Sequence, residues 1–259
     1  MTWPEVAAAV AAGATTVILP LGATEQHGPH LPLSTDTYRA TALAERLAAL
    51  VPNTLLAPAL PIGCSDEHTG FAGLLSLNTD TLVCIIVDCA RRMAAWGVQR
   101  LVLLSAHGGN ADALALAVER LHHEVPALRV WPPIPALQND DDMLNTALLA
   151  IARAAGVAPE AVGMHAGEGE TSEMLHLRPD LVRQAQLQPG YCGDMTAILP
   201  RLRAAGLHPV TPNGVLGDPT AADARRGARY LDACAAAIAA FLTAENAAYN
   251  EKEITNEHE

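Results

Sequence analysis

RLVLLSAHGGNADALALAVERLHHEV, residues 100–125, decides the fold. RLVLLSA (100–106) is an apolar run of strand length, and it leaves through Gly108 and Gly109 into a segment whose apolar residues recur at helical spacing. The same strand, loop, helix order repeats on either side. Upstream, TTVILPLG (15–22) reads as a buried strand ended by Pro20 and Gly22, and a long loop runs to Asp36. TYRATALAERLAALV then places Ala40, Leu43, Leu47 and Leu50 on one helical face, with Ser34, Thr35 or Asp36 as its N-cap. NTLLAPALPIG (53–63) reads as a strand, GCSDEHTGFAG (63–73) as a loop, and TDTLVCIIVDCARRMAAWG (79–97) as a helix capped by Thr79 and stopped by Gly97. Downstream, ALRVWPPI (127–134) gives a fourth strand and DMLNTALLAIARAAG (142–156) a helix. GETSEMLHL (169–177) follows as a shorter helix capped by Thr171 or Ser172, and residues 219–249 form a long helix opened by Asp218 and Pro219. Strands alternating with helices predict an α/β fold, a mostly parallel β-sheet flanked by helices on both faces. One domain over 1–245 and a polar C-terminal tail over 246–259 are expected.

Composition narrows the function classes. Half of the 259 residues are hydrophobic but only 3% are aromatic, so Ala, Leu, Val and Ile must build the core. A net charge of -12 repels phosphate backbones and anionic membranes, so no nucleic acid and no membrane partner is expected. No apolar run reaches the roughly 18 residues of a membrane span. Five cysteines without paired spacing, and an N-terminus MTWPEVAAAV without a basic flank, predict a cytoplasmic protein.

In open α/β sheets the ligand site lies beyond the carboxyl ends of the strands. Three loops at that end carry residues that neither helix nor strand periodicity explains. LGATEQHGPHLPLSTD (21–36) holds Glu25, His27, His30 and Asp36; the loop after VLLSA holds His107; GMHAGEGE (163–170) holds His165, Glu168 and Glu170. Carboxylates and imidazoles that converge from separate loops are the normal ligand set for Zn²⁺, Mn²⁺ or Fe²⁺, and a set without cysteine suits a catalytic centre. Glu25 and His27 are two apart, so in an extended segment both side chains share a face. His122, His123, His176, His208 and His258 lie outside these loops and read as ordinary surface or core residues. Asn110 and Asp218 read as structural caps.

LGATEQHGPHLPLSTD, SDEHTGFAG, SAHGGN, HAGEGETS and GVLGDPT, in this order, resemble the creatininase family of amidohydrolases from about Thr2 to Ala240. The resemblance implies a three-layer sandwich around a parallel sheet, two divalent metal ions per chain (Zn, Mn or Fe) and a homo-oligomer, usually a hexamer. It implies that Glu25 and His107 ligate one metal, that His27 and Glu170 ligate the second, and that Asp36 bridges both. His165 stands where the family has a catalytic histidine. The expected reaction is hydrolysis of a carbon-nitrogen bond (amide, lactam or formamide) in a small-molecule or short-peptide substrate, by a water that two metals activate, with His165 protonating the departing nitrogen. Ser65, Glu67 and His68 are candidate substrate contacts, and Glu168 is open to two readings, a ligand or a group behind the ligands.

One departure separates the chain from enzymes acting on creatinine. Those carry a Glu two residues after the histidine matching His107, where this chain has Gly109, and they have a Trp-rich lid, whereas Trp131 is the last tryptophan here. The HGGN form looks more like relatives that deformylate a formamidopyrimidine nucleotide or trim the mycofactocin precursor peptide. Three alternatives stand beside the amide hydrolase: a peptidase of the mycofactocin-maturation type, a hydrolase of a cyclic carbon-carbon or ester substrate on the same dinuclear site, and an inactive metal-binding structural subunit.

Overall fold

The computed structural model describes residues 1–131 and 143–256. The end of the expected fourth strand (132–134), the first residue of the helix expected from 142, the segment after Trp131 where a lid would stand, and the last tail residues 257–259 lie outside the described residues.

In chain order the elements are α1 (Trp3–Ala11), β1 (Thr16–Leu21), α2 (Thr35–Leu50), β2 (Thr54–Leu56), α3 (Thr79–Ala95), β3 (Arg100–Ser105), α4 (Ala111–Glu124) and β4 (Arg129–Val130). They continue with α5 (Met143–Ala154), α6 (Pro159–Val162), α7 (Glu168–Leu177), α8 (Met195–Ala205) and α9 (Ala224–Asn256). The strands form one parallel sheet in the order β2-β1-β3-β4. β1 and β3 lie at its centre, and their residues alternate between two cores as the pleat requires. Val17, Leu19, Leu21, Leu101 and Leu103 pack against Leu82, Ile86, Leu114 and Leu121 of α3 and α4. Ile18, Val102 and Leu104 face the other way, onto Leu47 of α2, Leu148 of α5 and Tyr230 and Ile238 of α9. Both faces are therefore covered, which is why these strands read as continuous apolar runs.

The chain leaves β1 through α2 on one face and β3 through α4 on the other. The carboxyl ends of β1 and β3 thus flank the switch point of the sheet, where a crevice opens. Asn110 ties its walls together: Nδ2 donates to Gly22 O and Ser105 Oγ, and Oδ1 accepts from Cys64 N. Gly63 makes that knot possible, because a Cβ there would lie 2.3 Å from Asn110 Oδ1 and 2.8 Å from Gly22 O.

Several local expectations need correction. Asn110 makes no capping bond, since its side chain is committed to the knot. Asn78, not Thr79, caps α3, accepting from Thr81 N. Thr171 and Ser172 lie inside α7, whose N-cap is Gly167. Asp218 caps only a 3-10 turn, Pro219–Ala221, and α9 starts at Ala224 and continues to Asn256. β2 stops at Leu56, because Pro58 and Pro61 offer no N–H to the ladder. Helices α1, α6 and α8 are not among the elements expected from the sequence; α1 buries none of its residues, α6 has only four residues, and α8 holds Pro200 in its interior. Among the described residues, no helix is long and apolar enough to cross a membrane.

Candidate metal centre

The loop that follows β1 folds back on itself, with Glu25 N donating to Leu33 O and Leu31 N to His27 O. This turns Glu25 and His27 inward, both fully buried. Asp36, in the first turn of α2, stands between two imidazoles: Oδ1 lies 3.2 Å from His27 Nε2, and Oδ2 lies 3.5 Å from His107 Nδ1. Glu170, on α7, places Oε2 3.7 Å from His27 Nε2. Glu25 Oε2 is 3.3 Å from His107 Nε2, and Glu25 Oε1 is 3.7 Å from His165 Nδ1. The six residues for which the family resemblance implies metal or catalytic roles converge in the switch-point crevice.

Their hydrogen bonds orient the rings. Outer partners of this kind commonly fix which imidazole nitrogen is left to face a metal. The His27 Nδ1 donates to Glu25 O at 3.3 Å, which turns Nε2 towards Asp36. The His165 Nε2 donates to Gln26 O at 2.7 Å, which leaves Nδ1 on the side of Glu25. Burial alone would lower the pKa of His27, but the charge and hydrogen bond of Asp36, with Glu170 and Glu25, prevail and raise it to about 9. Burial also opposes protonation of His107, and Glu25, then Asp36 and Glu67, carry it up to about 10. Conversely, burial works to raise Asp36 and Glu170; His27 outweighs it for Asp36 and Arg39 for Glu170, so both are held below the usual carboxylate range. His165 lies below its ordinary value because of burial and the neighbouring His27.

Both oxygens of Glu25 and Oδ2 of Asp36 are buried without a hydrogen-bond partner. An ionised oxygen left so is costly, and a coordinated cation removes the cost. Ligand atoms of His27, Asp36 and Glu170 lie within 4.8 Å of one another, as do those of Glu25, Glu67 and His107, and those of Glu25, His27 and His165. The donor set fits divalent ions.

Of the candidate substrate contacts, Glu67 and His68 line a 700 Å³ cavity that also reaches His107 and His165. Leu199, Leu202 and Leu216 form its apolar wall. Ser65 is buried behind this surface, with Oγ 3.2 Å from His107 Nε2. His68 accepts at Nδ1 from Gln26 Nε2 and sets Nε2 3.1 Å from Glu25 Oε1; burial and the adjacent His165 keep its pKa far below the ordinary histidine value. Glu168 lies apart from the cluster: it accepts from Ser172, Arg226 and Tyr230 and fastens α7 to α9. His30 bonds Thr171 Oγ1 through Nε2.

Sequence reasoning missed three site residues. Arg39 is buried and donates to Glu173 at 2.5 Å, Glu170 at 2.6 Å and Ala106 O at 3.2 Å. Gln26 bridges His68 and Gly214 O with its amide. A signal existed for the first pair, since Arg39 follows Asp36, and Glu173 follows Glu170, by three residues on a helix and so shares its face.

The family description "Creatininase: Creatinine amidohydrolase" matches residues 1–242. A mycofactocin precursor peptide peptidase of Mycobacterium ulcerans (strain Agy99) is 37% identical over 250 residues, covering 92% of this chain and 86% of that one. A creatinine amidohydrolase of Pseudomonas putida is 33% identical over 197 residues, covering 70% and 72%. A solved structure titled "Creatininase Mn" superposes with a TM-score of 0.73 at 28% identity, covering 95% of this chain and 96% of that one.

Proposed function

The chain belongs to the creatininase family, and from that premise we propose that it is a metal-dependent hydrolase of an amide bond in a short peptide. The observation that carries the reading is the set of buried, unpartnered oxygens on Glu25 and Asp36 facing His107 and His165. Glu25 and His107 would hold one divalent ion, His27 and Glu170 the second, and Asp36 both. Zinc, manganese and iron all suit such a nitrogen and oxygen donor set. When bound, such ions supply Lewis acidity towards the scissile carbonyl and lower the pKa of a water enough for attack near neutral pH.

The protein's own groups handle the rest. His165, neutral and fixed at Nε2 by Gln26 O, keeps Nδ1 free to take the proton of the attacking water and return it to the departing nitrogen. Arg39 holds Glu170 in its ionised form and in place. His68 presents Nε2 to Glu25.

Two observations favour a peptide over creatinine. The peptidase relative matches more of the chain at higher identity than the creatinine amidohydrolase does. The 700 Å³ cavity with its leucine wall also has the dimensions of a site for a molecule of many atoms, not for one small ring. The same reading takes the protein as a cytoplasmic homo-oligomer, a hexamer by resemblance, and its five cysteines, an odd number without paired spacing, fit a reducing compartment. A panel of metal-loaded assays with creatinine, a formamide-bearing nucleotide and short peptides ending in aromatic residues tests the proposal. Cleavage of a peptide amide is expected; creatinine turnover exceeding that of every peptide would overturn the substrate assignment.

A further inference from the structure

The Glu67 carboxylate is placed for something other than substrate. Its Oε1 lies 3.5 Å from His107 Nε2, the nitrogen that also has Glu25 Oε2 at 3.3 Å, Ser65 Oγ at 3.2 Å and Cys64 O at 2.8 Å. The Cys64 carbonyl and both carboxylates, once ionised, can only accept, and the single N–H at Nε2 cannot serve them all. Glu25 in fact receives no hydrogen bond at either oxygen while fully buried. Ligand atoms of Glu25, Glu67 and His107 lie within 4.8 Å of one another, a spacing that one divalent ion can span.

Glu67 is also held there from behind. Leu207 N donates to Glu67 O at 2.7 Å, which pins the 3-10 turn Asp66–His68 to the end of α8. Opposite it, a Cβ on residue 109 would lie 2.5 Å from Glu67 Oε1, 2.4 Å from His107 Nε2 and 2.3 Å from Cys64 O. The Glu67 carboxylate thus occupies the space next to His107 that any side chain at position 109 would need.

We propose that Glu67 is a ligand of the ion held by Glu25 and His107, a fourth carboxylate of the centre. The inference rests on the two-ion reading above. It closes the charge balance of that reading: two divalent ions facing Glu25, Asp36 and Glu170 leave a surplus of about one positive charge, and Glu67 cancels it.

The test is a titration of the metal-free full-length protein with Zn²⁺ and, separately, Co²⁺, in competition with a chromophoric chelator. Glu67→Gln should weaken one of two ions at least tenfold and alter one Co²⁺ absorption band, leaving the second ion bound as in the parent protein. Glu67→Asp, which keeps the charge on a shorter arm, should fall between the two and serves if the first variant does not fold. Asp112→Asn, which removes a carboxylate from the same cavity outside the cluster, should leave both affinities unchanged. Unchanged affinity for both ions in Glu67→Gln, with a raised KM, would overturn the proposal and make Glu67 a substrate contact, while the two-ion reading stood. An equal loss in Asp112→Asn would overturn it too, by reducing the effect to general charge. A parent protein that binds no ion would instead overturn the two-ion reading itself.

Discussion

Loading the metal-free protein at pH 7 should expel about two protons per chain. His27 and His107, with pKa values of about 9 and about 10, are both almost fully protonated at that pH when no ion is bound. Each must give up a proton to offer a lone pair, so proton and metal compete for the same nitrogen. Asp36 and Glu170, held below the usual carboxylate range, have no proton to release there. Each pH unit below the histidine pKa therefore weakens the corresponding ion by about tenfold, or 1.4 kcal/mol. Raising the pH from 7 to 8 should tighten each site by about that factor, with the gain fading above pH 9 as His27 loses its proton unaided. Stability of the metal-free protein runs the other way. A histidine raised from its unfolded value of 6.5 to about 9 stabilises the fold fully below pH 6.5, by roughly 3 kcal/mol for His27, and that contribution is lost as pH rises towards 9. Calorimetric titration with Zn²⁺ in two buffers of different ionisation enthalpy, at pH 7 and pH 8, reads the proton count and the affinities together. Release of no protons, or affinities that do not change with pH, would refute the charge-paired state of these two histidines.

Arg39→Met leaves Glu170 and Glu173 without their buried partner, and a loss of about 3–5 kcal/mol is expected. The metal-free protein should then melt roughly 10 °C lower in a thermal scan, and a drop of under about 2 °C would remove Arg39 from the framework. His165→Ala should retain its metal, measured by elemental analysis, while losing turnover by about 10²-fold or more; unchanged turnover would exclude proton transfer by that ring. Gly109→Ala forces a methyl against Cys64 O and Glu67, so a destabilisation of about 1–3 kcal/mol in urea unfolding is expected together with weakened metal binding. A neutral result would mean that the Cys64 loop moves freely.

The layers were legible because two-sided burial leaves a plain mark: every residue of β1 is buried, and its sequence is a run of apolar side chains around Pro20. Helix α1 left no such mark, since the chain buries none of it and Trp3 is 82% exposed. Pro200 disguises α8, because proline normally breaks a helix interior. In the site, Glu25, His27, Asp36, His107, His165 and Glu170 could be singled out because their loops had no structural use for them. Arg39 carried only the weak signal of its spacing from Asp36, because the partner that neutralises it, Glu173, is 134 residues away in the chain. Glu168 was ambiguous for the same reason: the Arg226 and Tyr230 that claim it lie 58 and 62 residues downstream. Burial and distant pairing decide such roles, and neither is written in local sequence.

The central claim is a two-ion centre joined by Asp36, whose oxygens face His27 on one side and His107 on the other. Elemental analysis of the parent protein and of Asp36→Ala, prepared alike, tests it most directly. The parent should carry close to two transition-metal ions per chain and the variant neither, with turnover lost in step. Full occupancy persisting in the variant would contradict the claim.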